Sequence, residues 1–167
     1  MLFNDIALVV AAAGLLPIMV TIAYFDLRDL RIPNWSVLAV LGVFLATGSW
    51  GLPFDVFLWR LLYGVIAFAL GFALYSVAAG QVGAGDLKLL AVLVPFIAGA
   101  SAVPFMLVYA LLSIVGLGVY LLAQARLKGR QTGLRALDQR IYFPAGILLG
   151  LTMSVLLCAE LYGRFAA

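Results

Sequence analysis

The sequence predicts an all-α, polytopic membrane protein, a bundle of six transmembrane helices that forms a single domain over residues 1–167. The first observation is composition, because 66% of the residues are hydrophobic, only 10% are charged and the mean hydropathy is +1.21. A water-soluble domain needs more polar surface than this. The second observation is that the apolar residues fall into long runs, most of them approaching the ~20 residues that cross a bilayer as a helix.

Six apolar runs define the predicted spans, and polar or turn-forming residues separate them. In chain order they cover residues 6–25, 35–49, 56–79, 89–103, 105–124 and 141–161. The first run has Asp5 as its only early charge and no small-residue cleavage site, so it is predicted to be a retained helix. The fourth run is short and contains Pro95, which is expected to kink it. Only residues 100–104 separate the fourth and fifth runs, which predicts a tight antiparallel hairpin.

The positions of Lys and Arg predict the orientation, because short cytoplasmic loops carry an excess of these residues. If the N-terminus lies outside, the inner loops are residues 26–34, 80–88 and 125–140, and both chain ends are outside. The inner loops then hold Arg28, Arg31, Lys88, Arg126, Lys128, Arg130, Arg135 and Arg140, whereas the outer segments hold only Arg60 and Arg164. The net charge of +3 is explained by topology, and no nucleic-acid partner is expected.

The absence of histidine and the single cysteine exclude several kinds of chemistry. Histidine does not occur, and Cys158 lies alone in an apolar run. Ser/His and Cys/His nucleophiles, histidine proton relays and CxxC zinc sites are therefore excluded. Any catalysis has to use carboxylates, Lys, Arg, Tyr, Ser or Thr, and neither a metal nor a cofactor is expected.

Two aspartates at the inner ends of predicted helices are the candidate catalytic residues. Asp26 follows the first apolar run, where the helix dipole disfavours a negative charge, and Asp86 opens the fourth helix. A six-helix bundle can bring these ends together. Two close carboxylates do not both ionise easily, so one can act as base and the other as acid. The alternatives are that Asp86 is only an N-cap and that Asp26 only pairs with Arg28 or Lys88.

The segments around both aspartates resemble the two active-site signatures of the type IV prepilin peptidases, which belong to the GxGD class of membrane aspartyl proteases. The first segment is DLRDLRIPNW at residues 26–35, and the second is GAGDLKLLAV at residues 83–92. A looser third match is YFPAG at residues 142–146. The resemblance implies that Asp26 and Asp86 are the catalytic pair, and Asp29 is assigned no catalytic role.

The same resemblance implies further residues that bind substrate or shape the site. They are Pro33, Asn34, Gly83, Gly85 and Lys88. The two glycines would let a substrate backbone come close, and the alternative is that they form only a turn before the helix. Lys88 either favours an ionised carboxylate or anchors at the lipid headgroups, and anchoring is the preferred interpretation.

The function implied by the resemblance is endoproteolysis at the cytoplasmic face of the inner membrane. The substrate would be a prepilin or pseudopilin with a short basic leader, a Gly at the cleavage point and then a hydrophobic membrane helix. Because that leader is itself basic, the loop from Arg126 to Arg140 is interpreted as a lipid anchor and not as a leader-binding surface. The expected partners are this substrate and the lipid bilayer, and the oligomeric state is left open.

One difference from longer family members limits what the resemblance implies. Those members carry two CxxC pairs that are associated with zinc and methyl transfer, so methyltransferase activity is not expected here. The compact form is similar to the peptidases of tight-adherence (Flp) pili and also to archaeal preflagellin peptidases. Two rival functions are a proton- or cation-coupled membrane transporter, in which the aspartates carry protons or bind a cation, and a non-catalytic pilus-assembly subunit.

Overall fold

In this computed structural model the chain is described over residues 3–77, 83–98, 102–126 and 145–166. Over these ranges the backbone forms six α-helices and no strand. They are α1 (Asp5–Asp29), α2 (Asn34–Gly51), α3 (Phe54–Val77), α4 (Ala84–Ile97), α5 (Ala102–Arg126) and α6 (Ala145–Phe165). The all-α class is therefore confirmed for the described part of the chain.

Five of these helices, α1, α2, α3, α5 and α6, are long and apolar enough to cross a membrane. The exception is α4, whose 14 residues rise only about 21 Å, less than the hydrocarbon thickness of about 30 Å. The described helices therefore make this a membrane protein with five candidate spans, and the predicted number of six is not established.

The boundary of α1 differs from the prediction. The helix continues to Asp29, so residues 26–29, predicted to belong to a loop, form its last turn. Leu30 then ends the helix in the left-handed conformation, with φ at 52°, and its N–H donates to the Asp26 carbonyl at 3.1 Å. The connection to α2 is therefore shorter than the predicted loop of residues 26–34.

The hairpin predicted between the fourth and fifth spans also differs. α4 begins at Ala84 and ends at Ile97, with Pro95 in its last turn. Residues 102–104, predicted as part of the connection, belong to the first turn of α5, where proline is tolerated. Residues 99–101 lie outside the described residues. The same holds for residues 127–144, which include most of the third predicted inner loop and the first three residues of the YFPAG segment.

α1 packs against α2 and α6. α4 packs against α2, α3 and α6, whereas α5 packs mainly against α6. The buried core is apolar and comes largely from α1, α2, α4 and α6. α3 and α5 leave most of their apolar side chains exposed, as expected for helices that face lipid.

The helix ends meet in two groups. At one end, called the site end below, the last turn of α1 meets the first turns of α2, α4 and α6. At the opposite end, called the far end, Asn4 N–H donates to the Gly51 carbonyl at 3.0 Å. Arg164 of α6 pairs there with Asp5 at 2.7 Å. The connections between helices therefore place four helix termini around the candidate aspartates.

Arg60 lies at the far end and is only 4% exposed. The sequence placed it in an outer segment, whereas the structure buries it in α3. Its guanidinium donates to the carbonyls of Pro95 at 3.1 Å and Phe96 at 3.2 Å and stacks over the Phe3 ring. These bonds give partners to carbonyls in the last turn of α4, which lack donor partners within the helix. They also link α3 to α4.

Candidate active site

Asp26 is a buried carboxylate held between two helices. It lies in the last turn of α1 and is 5% exposed. The N–H of Ile147, in the first turn of α6, donates to its Oδ2 at 3.2 Å, and the Gly146 amide lies beside the same carboxylate. Amides at the start of a helix lack helical acceptors and carry positive partial charge. The ionised form of Asp26 is therefore stabilised by α6 and not by its own helix.

Asp86 lies in the first turn of α4, before the apolar part of that helix. The N-cap of α4 is Gly83, three residues earlier, so the interpretation of Asp86 as an N-cap is wrong. A Cβ on Gly83 would lie 2.6 Å from Asp86 Oδ2, so the carboxyl group occupies the space that a side chain there would need. None of the described residues donates a hydrogen bond to this carboxyl group.

The two aspartates are electrostatic neighbours. Burial and, to a smaller extent, the negative charge of Asp26 together raise the pKa of Asp86 to about 6. Ile32 also packs against the first turn of α4, which holds Asp86, and against the first turn of α6, which binds Asp26. The structure therefore brings together the two aspartates that the sequence singled out from different helices.

Ile32 packs between the starts of α4 and α6. A Cβ on Gly85 would lie 3.1 Å from Ile32 Cβ, and a Cβ on Gly146 would lie 2.7 Å from Ile32 Cδ1. Both glycines therefore allow helix starts to close around this side chain, which belongs to the same segment as Asp26. The packing supports the site-shaping interpretation of Gly85 and extends it to Gly146, the last residue of the YFPAG segment.

Lys88 and Asn34 join the two signature segments. Lys88 Nζ donates to Asn34 Oδ1 at 3.3 Å, which links α4 to the start of α2. Pro33 is the N-cap residue of α2 and accepts a hydrogen bond from Ser36 Oγ at 2.7 Å. The interpretation of Lys88 as only a headgroup anchor misses the contact with Asn34.

The alternative ion pairs proposed for Asp26 are not present among the described residues. Arg28 lies 4.0 Å from Asp29 instead, in a largely exposed pair, and Lys88 is bonded to Asn34. Exposed pairs of this kind contribute little to stability. Asp26 is therefore not explained as the partner of a nearby cation.

Two cavities that share Asn34 adjoin the site end. One, of about 550 Å³, lies over the connection between α1 and α2 and is lined by Phe25, Asp29, Arg31, Ile32, Pro33 and Asn34. The other, of about 490 Å³, is an apolar groove between α2, α3 and α4 that has Asn34 and Lys88 at one end. The site end therefore combines a polar surface with an apolar groove, and Asn34 lies where they meet.

No three His, Cys, Asp or Glu side chains lie together as potential metal ligands in the part of the chain that the structure describes. The chemistry available at the site is that of two neighbouring carboxylates. Among the described residues, one of them receives a backbone hydrogen bond and the other does not. Such a pair can hold one proton between two unequal positions.

Comparison with known proteins gives one family match. A sequence model of the type IV leader peptidase family matches residues 13–122, a range that contains Asp26, Asp86 and both signature segments. No curated protein and no solved structure matches the chain significantly. The match confirms the family resemblance drawn from the two segments, and it ends before α6.

Proposed function

This chain belongs to the type IV leader peptidase family, and from that premise we propose that it is an aspartic endopeptidase with Asp26 and Asp86 as its catalytic pair. The family match covers about two thirds of the chain and supports a membrane protease in general. The assignment of the two aspartates adds a mechanism to that activity.

One observation carries the proposal: two acidic side chains from distant helices lie together in a poorly solvated region at one end of the bundle. Asp26 is almost completely buried, and its charge acts on Asp86 across the α1–α4 boundary. A buried carboxylate is costly unless it is compensated, and these two also repel one another. Such an arrangement is typical of functional sites, where carboxylates with unequal proton affinities are needed.

The surroundings divide the roles between the two residues. Asp26 accepts the Ile147 N–H, which favours its ionised form. Asp86 has a pKa of about 6 and therefore keeps its proton in mildly acidic conditions. We assign Asp26 as the general base and Asp86 as the general acid.

The reaction would then follow the general acid–base scheme for peptide hydrolysis. Asp26 removes a proton from water, the water oxygen forms a bond to the scissile carbonyl carbon, and Asp86 donates its proton to the carbonyl oxygen. The tetrahedral diol then collapses as the C–N bond breaks: Asp26 passes the proton that it took from water to the leaving amine, and Asp86 takes back a proton from the diol hydroxyl that becomes the new carbonyl. Both carboxyl groups are thereby returned to their initial states.

The proposed substrate is a prepilin or pseudopilin with a short basic leader and a following membrane helix, cleaved at the cytoplasmic face of the inner membrane. The site end suits a cleavage point between polar and apolar segments, because a polar cavity and an apolar groove meet at Asn34. Irregular peptide backbone is tolerated at the membrane edge, where water can satisfy it.

The test is cleavage of a prepilin-like peptide by the purified protein in detergent. We expect Asp26→Asn and Asp86→Asn each to reduce kcat/KM by at least about 10³-fold, since each removes one half of a pair that acts as a unit. Asp29→Asn is the matched control, because Asp29 is a carboxylate in the same helical turn whose ion pair, with Arg28, is largely exposed. It is expected to retain activity.

The outcomes separate this proposal from its rivals. Activity that survives either substitution at Asp26 or Asp86 would reject the pair. If the wild-type protein cleaves no prepilin-like peptide in several lipids, the transporter and assembly-subunit interpretations become the better explanations.

A further inference from the structure

Gly146, in the first turn of α6, is packed directly against the Asp26 carboxylate. A Cβ at this position would lie 2.9 Å from Asp26 Oδ2 and 3.2 Å from its Cγ. These distances are shorter than ordinary van der Waals contacts, so a side chain would displace the carboxylate or the helix. The next residue, Ile147, provides the N–H that Oδ2 accepts at 3.2 Å.

We propose that Gly146 is a positioning residue of the active site: its missing side chain lets the Asp26 carboxylate reach the Ile147 amide and so keeps Asp26 in the form that accepts a proton. This inference rests on the proposed function, in which Asp26 is the general base. It assigns a role to α6, which lies outside the segment matched by the family model.

An amide hydrogen bond to a carboxylate stabilises the ionised form over the neutral one. Hydrogen bonds to charged groups are among the stronger ones in proteins. Asp26 is buried and lies near a second carboxyl group, so both of those influences favour protonation. The hydrogen bond from the Ile147 N–H opposes protonation of Asp26. It can form only while the start of α6 approaches the carboxylate with no side chain between them.

The test is the pH profile of peptide cleavage by Gly146→Ala. We expect its acidic limb to move to higher pH by about one unit, because the displaced Asp26 carboxylate loses a charge-stabilising bond. A purely structural defect would lower the rate at every pH without moving the limb. Gly150→Ala is the matched control one turn further along α6, where a Cβ would have 3.6 Å to the nearest Met19 atom. Its profile should match the wild type.

A second variant separates two contacts that the new methyl group would make. Gly146→Ala also brings a Cβ within 2.7 Å of Ile32 Cδ1, an atom that Ile32→Val removes. The double variant Ile32→Val/Gly146→Ala should keep the shifted limb, because the contact with Asp26 remains. If the double variant regains the wild-type profile, the effect acts through Ile32, which overturns the proposal. The double variant also carries the test if Gly146→Ala alone does not fold.

A readout independent of catalysis distinguishes this proposal from the proposed function. In the Asp86→Asn background, infrared titration of the Asp26 carboxyl band reports its protonation, and the Asp26→Asn/Asp86→Asn double variant identifies the band. Gly146→Ala should raise the midpoint by about one pH unit, and an unchanged midpoint overturns the positioning role. If the midpoint shifts while the wild type cleaves no peptide, the positioning role stands and the proposed function fails.

Discussion

Asp26 and Asp86 have the same side chain in different surroundings. Asp26 is bonded to the start of α6, whereas Asp86 has no hydrogen-bond donor among the described residues. We propose that this difference gives the pair an order of ionisation, with Asp26 as the base and Asp86 as the acid. An enzyme that needs one base and one acid at the same time requires such an order.

The pH dependence of cleavage follows from this order. Below about pH 6 Asp86 holds its proton, because burial and the charge of Asp26 raise its pKa to about 6. We expect the rate to fall as the pH rises through about 6, where Asp86 loses the proton that it donates, and to fall again in stronger acid, where Asp26 becomes protonated. The measurement is kcat/KM of peptide cleavage between about pH 4 and about pH 8. A rate that stays constant across the upper half of this range would contradict the assignment of Asp86 as acid.

At the residue scale the sequence identified the two aspartates but not their environment. Their positions could be predicted because each adjoins an apolar run and lies in a recognisable segment. The partner of Asp26 could not, because it is a backbone amide 121 residues away, and an amide has no signature in the sequence. The proposed role of Gly146 could not be predicted either, because many glycines in apolar runs serve only close packing.

Helix contacts at the far end depend on small residues. Gly51 of α2 faces α1, and a Cβ there would overlap the Ala7 side chain and approach Phe3 Cδ1 at 3.2 Å. Gly42, on the same helix, has no atom within 4 Å of its would-be Cβ. Alanine substitution at these two glycines therefore distinguishes the effect of close packing from the effect of helix propensity.

Gly51→Ala is expected to destabilise the protein by about 1–3 kcal/mol, because the added methyl group forces α1 and α2 apart. Gly42→Ala should be neutral or slightly stabilising, since alanine is the better helix former. Thermal unfolding of both variants in the same detergent measures the difference. Equal midpoints for the two variants would show that α1 and α2 do not approach as closely as described.

At the element scale, hydropathy identified the six helices that the structure describes but misplaced several of their ends. It records which residues prefer lipid, not which of them are helical. The apolar run 89–103 was therefore predicted as one span, although α4 starts earlier at Ala84 and ends at Ile97. Hydropathy leaves Asp86 and Lys88 outside this run because their side chains are polar, whereas the motif around Asp86 placed the start of the fourth helix close to its observed position.

The charges of the whole molecule are distributed between its two ends. Arg28, Arg31 and Lys88 lie at the site end, and Arg164 forms pairs with Asp5 and Glu160 at the far end. The basic excess at the site end predicts that this end faces the cytoplasm. The basic loop of residues 127–140, which contributed to that prediction, lies outside the described residues.

Cysteine labelling tests the orientation. In a Cys158→Ser background, Arg31→Cys and Asp55→Cys place a thiol on an exposed position at the site end and at the far end, respectively. A membrane-impermeant maleimide added to intact spheroplasts is expected to label the Asp55→Cys protein. It should label the Arg31→Cys protein only after permeabilisation, because that residue is predicted to face inward. The opposite pattern would place the proposed active site outside the cell.

Arg60 has a consequence for how the protein is made. An arginine at the centre of an inserting helix costs about 2.5–3.5 kcal/mol, and Arg60, about two turns into α3, would bear part of that cost. Its hydrogen-bond acceptors, the carbonyls of Pro95 and Phe96, belong to the following helix. We therefore expect α3 to wait beside the translocon until α4 has been synthesised, so that the two helices enter the bilayer together as a hairpin.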